Sequence, residues 1–341
     1  MSVLHLLGTA GEGGAETYFV DLVAGLARAG VRQAAAIRPN ANRQAALAAA
    51  DVPTATFRFG GPIDILTKPK VAGFARRQDV KLALAWMNRA ARHTPKGPAR
   101  IGRLGGYYNL KYYRGFDELV ANTEDIAEWI VGQGWPAGKV RHIPNFAAAP
   151  PETAPAERDL LNTPADAPLL LSMGRLHDAK AHDVTLQALT RIPDAFLWIA
   201  GVGPQEAKLK AMAAALGVAD RVRFLGWRTD ASALYRAADV CVFPSRYEPL
   251  GNVVIQAWAH GLPVVAAASQ GPAALIADGE DGLLVPVDDA EALAATTRRL
   301  LDDPMLRIRL VQNGSDRVEA EFSEAAVVAQ WRALFADYGA A

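Results

Sequence analysis

The chain has a single cysteine, Cys241, in 341 residues. An internal disulfide framework is therefore excluded, and a reducing compartment is expected. Cys241 falls in an apolar run and reads as buried filler. No apolar run approaches the ~18 residues of a membrane-spanning helix. The start, Met1-Ser-Val-Leu-His-Leu-Leu7, lacks a basic signal-peptide opening and leads directly into a strand. A cytoplasmic protein is expected. There is no excess of either charge, since 36 Lys and Arg balance 36 Asp and Glu. The dinucleotide fingerprint G-x-G-x-x-G is also missing: Gly8, Gly11, Gly13 and Gly14 fall in another order, and no acid closes a second strand about 20 positions on. This argues against a nicotinamide-dependent or epimerase-type Rossmann enzyme. No Asp-x-Asp pair occurs of the kind a metal-bridged diphosphate needs, so no metal site is expected.

Although the charges cancel, they are not evenly spread. Residues 67–114 hold twelve Lys or Arg and one acid, Asp79. One reading is a solvated basic face. The sharper reading is attraction to an anionic membrane surface or an anionic acceptor. No nucleic-acid module motif accompanies the stretch, and nucleic acid is not expected as a partner. Within it, Gly105-Gly-Tyr-Tyr-Asn-Leu-Lys-Tyr-Tyr-Arg114 is aromatic and basic together. It reads either as packed tyrosine filler or as a surface that stacks sugar rings or meets lipid headgroups.

With 51% hydrophobic and 21% charged residues, the chain is of ordinary globular composition. Its length favours two domains over one. Short apolar strands alternate with amphipathic helices throughout, which predicts parallel, doubly wound sheets. The spacing predicts strands at 3–7, 33–38, 54–59, 80–86, 100–104, 118–121 and 140–143. It predicts helices at 17–29, 43–50 and 123–133, with a Gly/Pro-punctuated basic stretch over 60–75 and His93 in a loop. An Ala/Pro-rich segment, 147–168, is the best linker. The expected division is 1–150 and 165–324, with a C-terminal helix of about 325–341 packing back on the first block.

Residues 241–271 form the organising element: strand, loop, helix, strand. Glu248 lies in the loop, Gly251 or Asn252 opens the helix, and Gly261 and Pro263 close it. The carboxyl end of a parallel strand is where open α/β sheets bind ligands, and a helix N-terminus there suits a phosphate. Three further loops fall at the ends of neighbouring strands: Gly174–Lys180, Gly201–Pro204 and Gly226–Trp227. Together they offer glycine backbone, a carboxylate, and two cations, Arg175 and Lys180, suited to a diphosphate.

These residues resemble the donor-binding domain of family 4 retaining glycosyltransferases, which have the GT-B fold. The likeness rests on Gly174-Arg-Leu176 with Lys180, Gly201-Val-Gly-Pro204, Val222-Arg-Phe-Leu-Gly226, Glu248-Pro-Leu-Gly251, Ala257-Trp-Ala-His-Gly-Leu-Pro-Val-Val265 and Asp278-Gly-Glu-Asp-Gly-Leu-Leu-Val285. N-terminally it is carried by Gly13-Gly-Ala-Glu16, Asn122-Thr123 and Ile143-Pro-Asn145. The resemblance implies an α/β, GT-B protein of two doubly wound parallel-sheet Rossmann-like domains facing a cleft. It implies transfer of a hexose-type sugar from a nucleotide diphosphate sugar, with UDP-sugar favoured over GDP-mannose. No cofactor is implied beyond that co-substrate. By the same resemblance Arg175 and Lys180 bind the diphosphate and stabilise the leaving group, and Glu248 binds sugar hydroxyls. The amides of Leu250, Gly251, Asn252 and Val253 approach sugar and phosphate, with Gly203 beside them. Gly226 and Trp227 lie near the nucleobase, and Gly13 and Gly14 approach from the other domain.

Two positions depart from the family pattern. Gln256 stands where a second Glu contacts the ribose, and it can still bond ribose hydroxyls neutrally. Gly105 falls in the stretch Arg103-Leu-Gly-Gly106, where many members place a His. The basic 67–114 stretch adds the expectation of an anionic or lipid-linked saccharide acceptor at the inner face of the cytoplasmic membrane, as in lipopolysaccharide or other cell-envelope glycan assembly. The competing expectation is a nucleotide-sugar-binding GT-B protein without transfer activity.

Overall fold

The computed structural model describes residues 2–11, 13–61, 63–147 and 152–340. In chain order the elements are β1 (Ser2–Leu7), α1 (Gly14–Arg28), β2 (Gln33–Ile37), α2 (Ala41–Ala49), β3 (Thr54–Thr56), α3 (Thr67–Arg77), β4 (Val80–Trp86), α4 (Met87–His93), β5 (Ala99–Leu104), β6 (Glu118–Ala121), α5 (Glu124–Gly132) and β7 (Val140–His142). There follow β8 (Leu169–Met173), α6 (His182–Leu189), β9 (Phe196–Ala200), α7 (Glu206–Ala215), β10 (Val222–Gly226), α8 (Ala231–Ala237), β11 (Val240–Phe243), α9 (Asn252–Ala259), β12 (Val264–Ala267), α10 (Gln270–Leu275), β13 (Leu283–Val285), α11 (Ala290–Asp302), α12 (Pro304–Arg317) and α13 (Glu324–Asp337).

The chain divides into two compact units, Met1–Ala148 with Glu324–Ala341, and Ala149–Ser323. Part of the Ala/Pro-rich segment, 148–151, lies outside the described residues. Unit 1 has a seven-stranded sheet in the order β3-β2-β1-β4-β5-β6-β7, and unit 2 a six-stranded sheet in the order β10-β9-β8-β11-β12-β13. The pairings are parallel throughout. Central strands such as Leu82–Trp86 and Val240–Phe243 are apolar and buried without alternation, as parallel sheets covered on both faces require. In each sheet the strand order reverses once, between β1 and β4 and between β8 and β11. Connections leave these neighbouring strands in opposite directions, so their carboxyl ends are left open for a ligand.

Helix α13 completes unit 1. Its Val327, Val328, Trp331, Leu334 and Phe335 are buried in one core with Val3, Phe19 and Leu22. Burial is worth about 1.5–3 kcal/mol per such side chain. Arg28 on α1 forks onto Glu324 through Nε and Nη2 at 2.9 and 2.5 Å. Gly25 lets the two helices approach, since a Cβ there would meet Glu324 Cδ at 3.2 Å. His5 lies edge-on to Phe19 and Phe335. Burial lowers its pKa to about 3, against a smaller opposing pull from Gln33. It is a neutral core histidine.

Several elements differ from the sequence expectation. Helix α1 starts at Gly14 rather than 17. Strand β3 stops at Thr56, and Phe59 turns back at φ 45° with its ring edge-on to His93. The punctuated stretch contains α3. Pro69 falls in its first turn, where a missing N–H breaks no helical bond, and Val71, Phe74 and Ala75 supply a buried face. His93 is not in a loop: it ends α4, buried, with Nε2 3.2 Å from the Gly60 carbonyl. The Tyr-rich segment packs inward in part. Tyr113 is fully buried beneath Gly102, where an added Cβ would meet it at 2.5 Å, and Tyr107 lies edge-on to Trp129. Tyr112 carries Arg92 and Lys111 over its ring.

Asp21 on α1 joins the Arg28–Glu324 pair. Burial first, and then the Glu324 charge, raise its pKa to about 6, with Arg28 opposing. A carboxyl raised by folding binds its proton more tightly in the native state. Its contribution to stability is therefore greatest below about pH 4 and declines as pH rises through about 6. Asp21→Asn is expected to stabilise the protein by about 1–2 kcal/mol at pH 8 and to leave it nearly unchanged at pH 4. Calorimetry at the two pH values checks this, and an equal gain at both would remove Asp21 titration as the cause.

Candidate active site

The candidate site of unit 2 is assembled at the β8/β11 reversal. Strand β8 runs out into Gly174 at φ 151°, followed by Arg175 and buried Leu176. The chain then makes a tight turn over Asp178–Lys180, passes Ala181 at φ 52° and enters α6. The loop after β9 lies against this turn with no room for side chains. A Cβ on Gly201 would come within 2.0 Å of the Gly174 carbonyl oxygen, and one on Gly203 within 2.3 Å of that of Leu176. The Leu176 amide donates to Val202 O at 3.1 Å, and the Gln205 amide to Leu176 O at 3.1 Å. The two glycines thus weld neighbouring loops backbone to backbone.

After β11 the chain runs through Arg246, Tyr247 and Glu248 to Gly251, which adopts φ 94° and admits α9. The Gly271 amide donates to Glu248 O at 2.7 Å, and a Cβ on Gly271 would lie 2.6 Å from Leu250 N. This loop is therefore clamped from the β12 side as well. The Lys180 ammonium binds Glu248 Oε2. It also lies over the Phe243 ring, 5.4 Å from the centroid. Glu248 Oε1 lies 3.3 Å from the Gly251 amide. The side chains of both residues are mostly buried, at 25% and 14% exposure. Arg175 is exposed, and among the described residues its guanidinium has no hydrogen-bonding or ionic partner.

The structure thus brings Arg175, Lys180, Gly203, Glu248, Leu250, Gly251, Asn252, Val253 and Gln256 to the carboxyl end of the second sheet, with Gly226 and Trp227 at the end of β10. Gln256 is one turn inside α9 and half-buried. Its carbonyl accepts from His260 Nδ1 at 2.7 Å. Gly226 turns at φ 67°, and the Trp227 ring is 66% exposed, a free apolar face for stacking. Gly13 and Gly14 belong to unit 1, at the start of α1, where Gly13 O accepts from Thr17 N at 2.9 Å. Among the described residues no group of three or more His, Cys, Asp and Glu is placed to hold a metal ion.

Sequence reasoning gave no role to Arg246. Its guanidinium forks onto Asp183 at 3.0 and 2.7 Å, bonds Asp288 and donates to Asp178 O at 2.9 Å. It therefore ties the Glu248 loop to α6 and to the segment after β13. Its only signal was a charge beside Glu248 in an otherwise uncharged loop.

Two such units, each a parallel sheet open at its reversal point, define a GT-B protein. Alr3699/HepE of Anabaena, solved in complex with UDP, superposes with a TM-score of 0.85 at 20% identity, over 99% of this chain and all of the other. Residues 154–317 match the family model described as glycosyl transferases group 1. The lipopolysaccharide core biosynthesis glycosyltransferase LpsE of Rhizobium meliloti (strain 1021) is 40% identical over 329 residues, covering 95% of this chain and 96% of its own. LpsD of the same organism, described in the same words, is 38% identical over 340 residues, covering 98% of each. The chain belongs to the group 1 glycosyl transferases, family GT4, and is a glycosyltransferase.

The Arg246 clamp is testable apart from chemistry. Burial acts against the Asp183 carboxylate, yet its bonds to Arg246 hold its pKa below the usual range. A lowered carboxylate pKa stabilises the fold above the ordinary carboxylate pKa, and that contribution is lost as pH falls through the folded value. Arg246→Met is expected to cost about 1–2 kcal/mol at pH 7. Denaturant titrations should show the deficit shrinking in acid. A deficit independent of pH would mean that packing, not charge, is lost.

Proposed function

We propose that the protein moves a hexose-type sugar from a nucleotide diphosphate sugar, a UDP-sugar first, to an anionic or lipid-linked saccharide hydroxyl in lipopolysaccharide or related cell-envelope glycan assembly. The observation that carries this is the Lys180–Glu248 pair beside Arg175, unpartnered among the described residues, at the open reversal point of the second sheet. The names of LpsE and LpsD support the acceptor class, and the UDP complex of HepE supports the nucleotide.

In this reading Arg175 takes the diphosphate by its planar fork and Lys180 as a point charge. An ammonium has three donors, so Lys180 can keep Glu248 and still donate to phosphate. Glu248 is thereby aimed at sugar hydroxyls, with the amides of Leu250 to Val253 beside it. Trp227 and Gly226 meet the nucleobase, and Gln256 the ribose. The bond from the anomeric carbon to the diphosphate oxygen breaks, and its electron pair stays with the diphosphate, whose charge Arg175 and Lys180 stabilise. The acceptor oxygen bonds the anomeric carbon and gives its proton to a donor phosphate oxygen. Retention of configuration follows from the family resemblance.

The acceptor's location has separate support in unit 1. Ile63, Ile65 and Leu66 are exposed at 93%, 78% and 60%, directly before α3 with Lys68, Lys70, Arg76 and Arg77. Apolar side chains beside a basic helix suit peripheral binding to an anionic membrane face. Among the described residues no helix is long and apolar enough to cross a membrane.

Glu248→Ala is expected to lower kcat/KM for transfer by at least about 100-fold, or about 2.7 kcal/mol, with the melting temperature near wild type. Retained activity would sink the assignment. UDP-sugars should raise the melting temperature of the wild type, and Arg175→Ala should abolish that rise. Donor binding without turnover on any acceptor would favour the binding-protein alternative. Ile63→Ser with Ile65→Ser should reduce cosedimentation with phosphatidylglycerol vesicles several-fold. Undiminished cosedimentation would remove this loop from membrane contact.

A further inference from the structure

Unit 1 has a crevice of its own at the β1/β4 reversal. It is about 570 Å³ and is lined by Thr9, Arg38, Trp86, Asn88, Arg89 and Tyr108, among others. No acidic residue lines it among the described residues. Arg38 follows β2 and Arg89 lies on α4. Neither guanidinium has a hydrogen-bonding or ionic partner among the described residues. The stem of Arg89 is set by close packing, since a Cβ on Gly8 would meet its Cγ at 3.0 Å.

A third cation stands behind the wall. Arg103, 3% exposed, is stacked over Trp86 at 4.6 Å and Tyr18 at 5.0 Å from the ring centroids. It donates to neutral Asn145 Oδ1 and has no salt bridge among the described residues. A buried guanidinium without a counter-ion projects its charge through the low-dielectric ring beside it. Residue Met87, on the crevice wall, adopts φ 63°, a conformation costly for a long side chain and characteristic of ligand sites. Asn88, next to it, has a buried amide oxygen with no partner among the described residues, an acceptor suited to a sugar hydroxyl.

Three cations, none with an ionic partner among the described residues, around one crevice of mainly apolar lining describe a receptor for an oxyanion on a sugar-sized body. We propose that this crevice is the subsite for an acidic substituent, a carboxylate or a phosphate, on the acceptor sugar, with Arg38 and Arg89 determining that specificity. The proposal rests on the transferase reading for the word acceptor. The crevice's preference for acidic sugars is independent of it. Arg38 and Arg89 contact the ligand, and Arg103 acts through Trp86.

The test uses the full chain saturated with UDP, so that the donor site is filled, and calorimetric titration with glucuronate, glucose 1-phosphate and glucose. The acidic sugars are expected to bind saturably and at least tenfold more tightly than glucose. Glucuronate against glucose 1-phosphate identifies the carboxylate or the phosphate as the preferred group. Arg38→Gln and Arg89→Gln should each weaken acidic-sugar binding at least tenfold, with unchanged melting temperature and UDP affinity. Arg38→Lys should recover part of the loss. Equal binding of glucose, or acidic-sugar binding untouched by both substitutions, would overturn the proposal. A separate titration of the same protein with UDP distinguishes the two readings: absence of UDP binding alone counts against the donor site, and absence of acidic-sugar selectivity alone counts against the crevice.

Discussion

The whole arrangement depends on a constraint of backbone packing at the ends of β8, β9 and β11. Four chain segments, the one after β12 included, approach in two pairs so closely that side chains are excluded at Gly201, Gly203 and Gly271. Hydrogen bonds from Leu176, Gln205 and Gly271 fix the register of these loops. Only with the loops locked in this way does Lys180 meet Glu248, two residues 68 positions apart. The ion pair is a consequence of the weld and not its cause. A mostly buried pair gains little net energy after desolvation, so its role is better described as aiming.

Much of this was legible because parallel strands buried on both faces are written as short unbroken apolar runs. β4 and β6 have the boundaries that the pattern predicts. The glycine-bearing loops were legible through family likeness, and their packing shows what those glycines do. What the pattern missed has specific reasons. Helix α4 begins at Met87 with no loop and no capping side chain after β4, so nothing marks a boundary. Helix α3 carries four cations and a proline, and only Val71, Phe74 and Ala75 betray its inner face. The Arg246 clamp joins Asp183 and Asp288, which lie 63 and 42 residues away, distances that no local pattern can signal.

The two units handle charge differently. In unit 2 the cations near the site are mostly committed: Lys180 to Glu248, and Arg246 to Asp183 and Asp288. In unit 1 the basic stretch is dispersed by folding. Arg103 goes into the core, Arg92 and Lys111 onto Tyr112, and Arg89 into the crevice. A cluster that looks like one electrostatic feature in the sequence becomes several local ones, each with its own dielectric environment. Helix α3 remains outward and basic, beside the exposed Ile63–Leu66 turn.

Helix α13 gives the chain an unusual order of assembly. Unit 2, Ala149–Ser323, is enclosed in sequence by the two parts of unit 1. During synthesis the residues of unit 2 are all available before α13 exists. The core of unit 1 is completed only when α13 brings Trp331 and Phe335 to it. The usual N-terminal-first sequence of domain completion is reversed. Until Glu324–Asp337 docks, the inner face of β1 and α1 that receives Trp331 and Phe335 stays open, and it is this open core that a chaperone would meet.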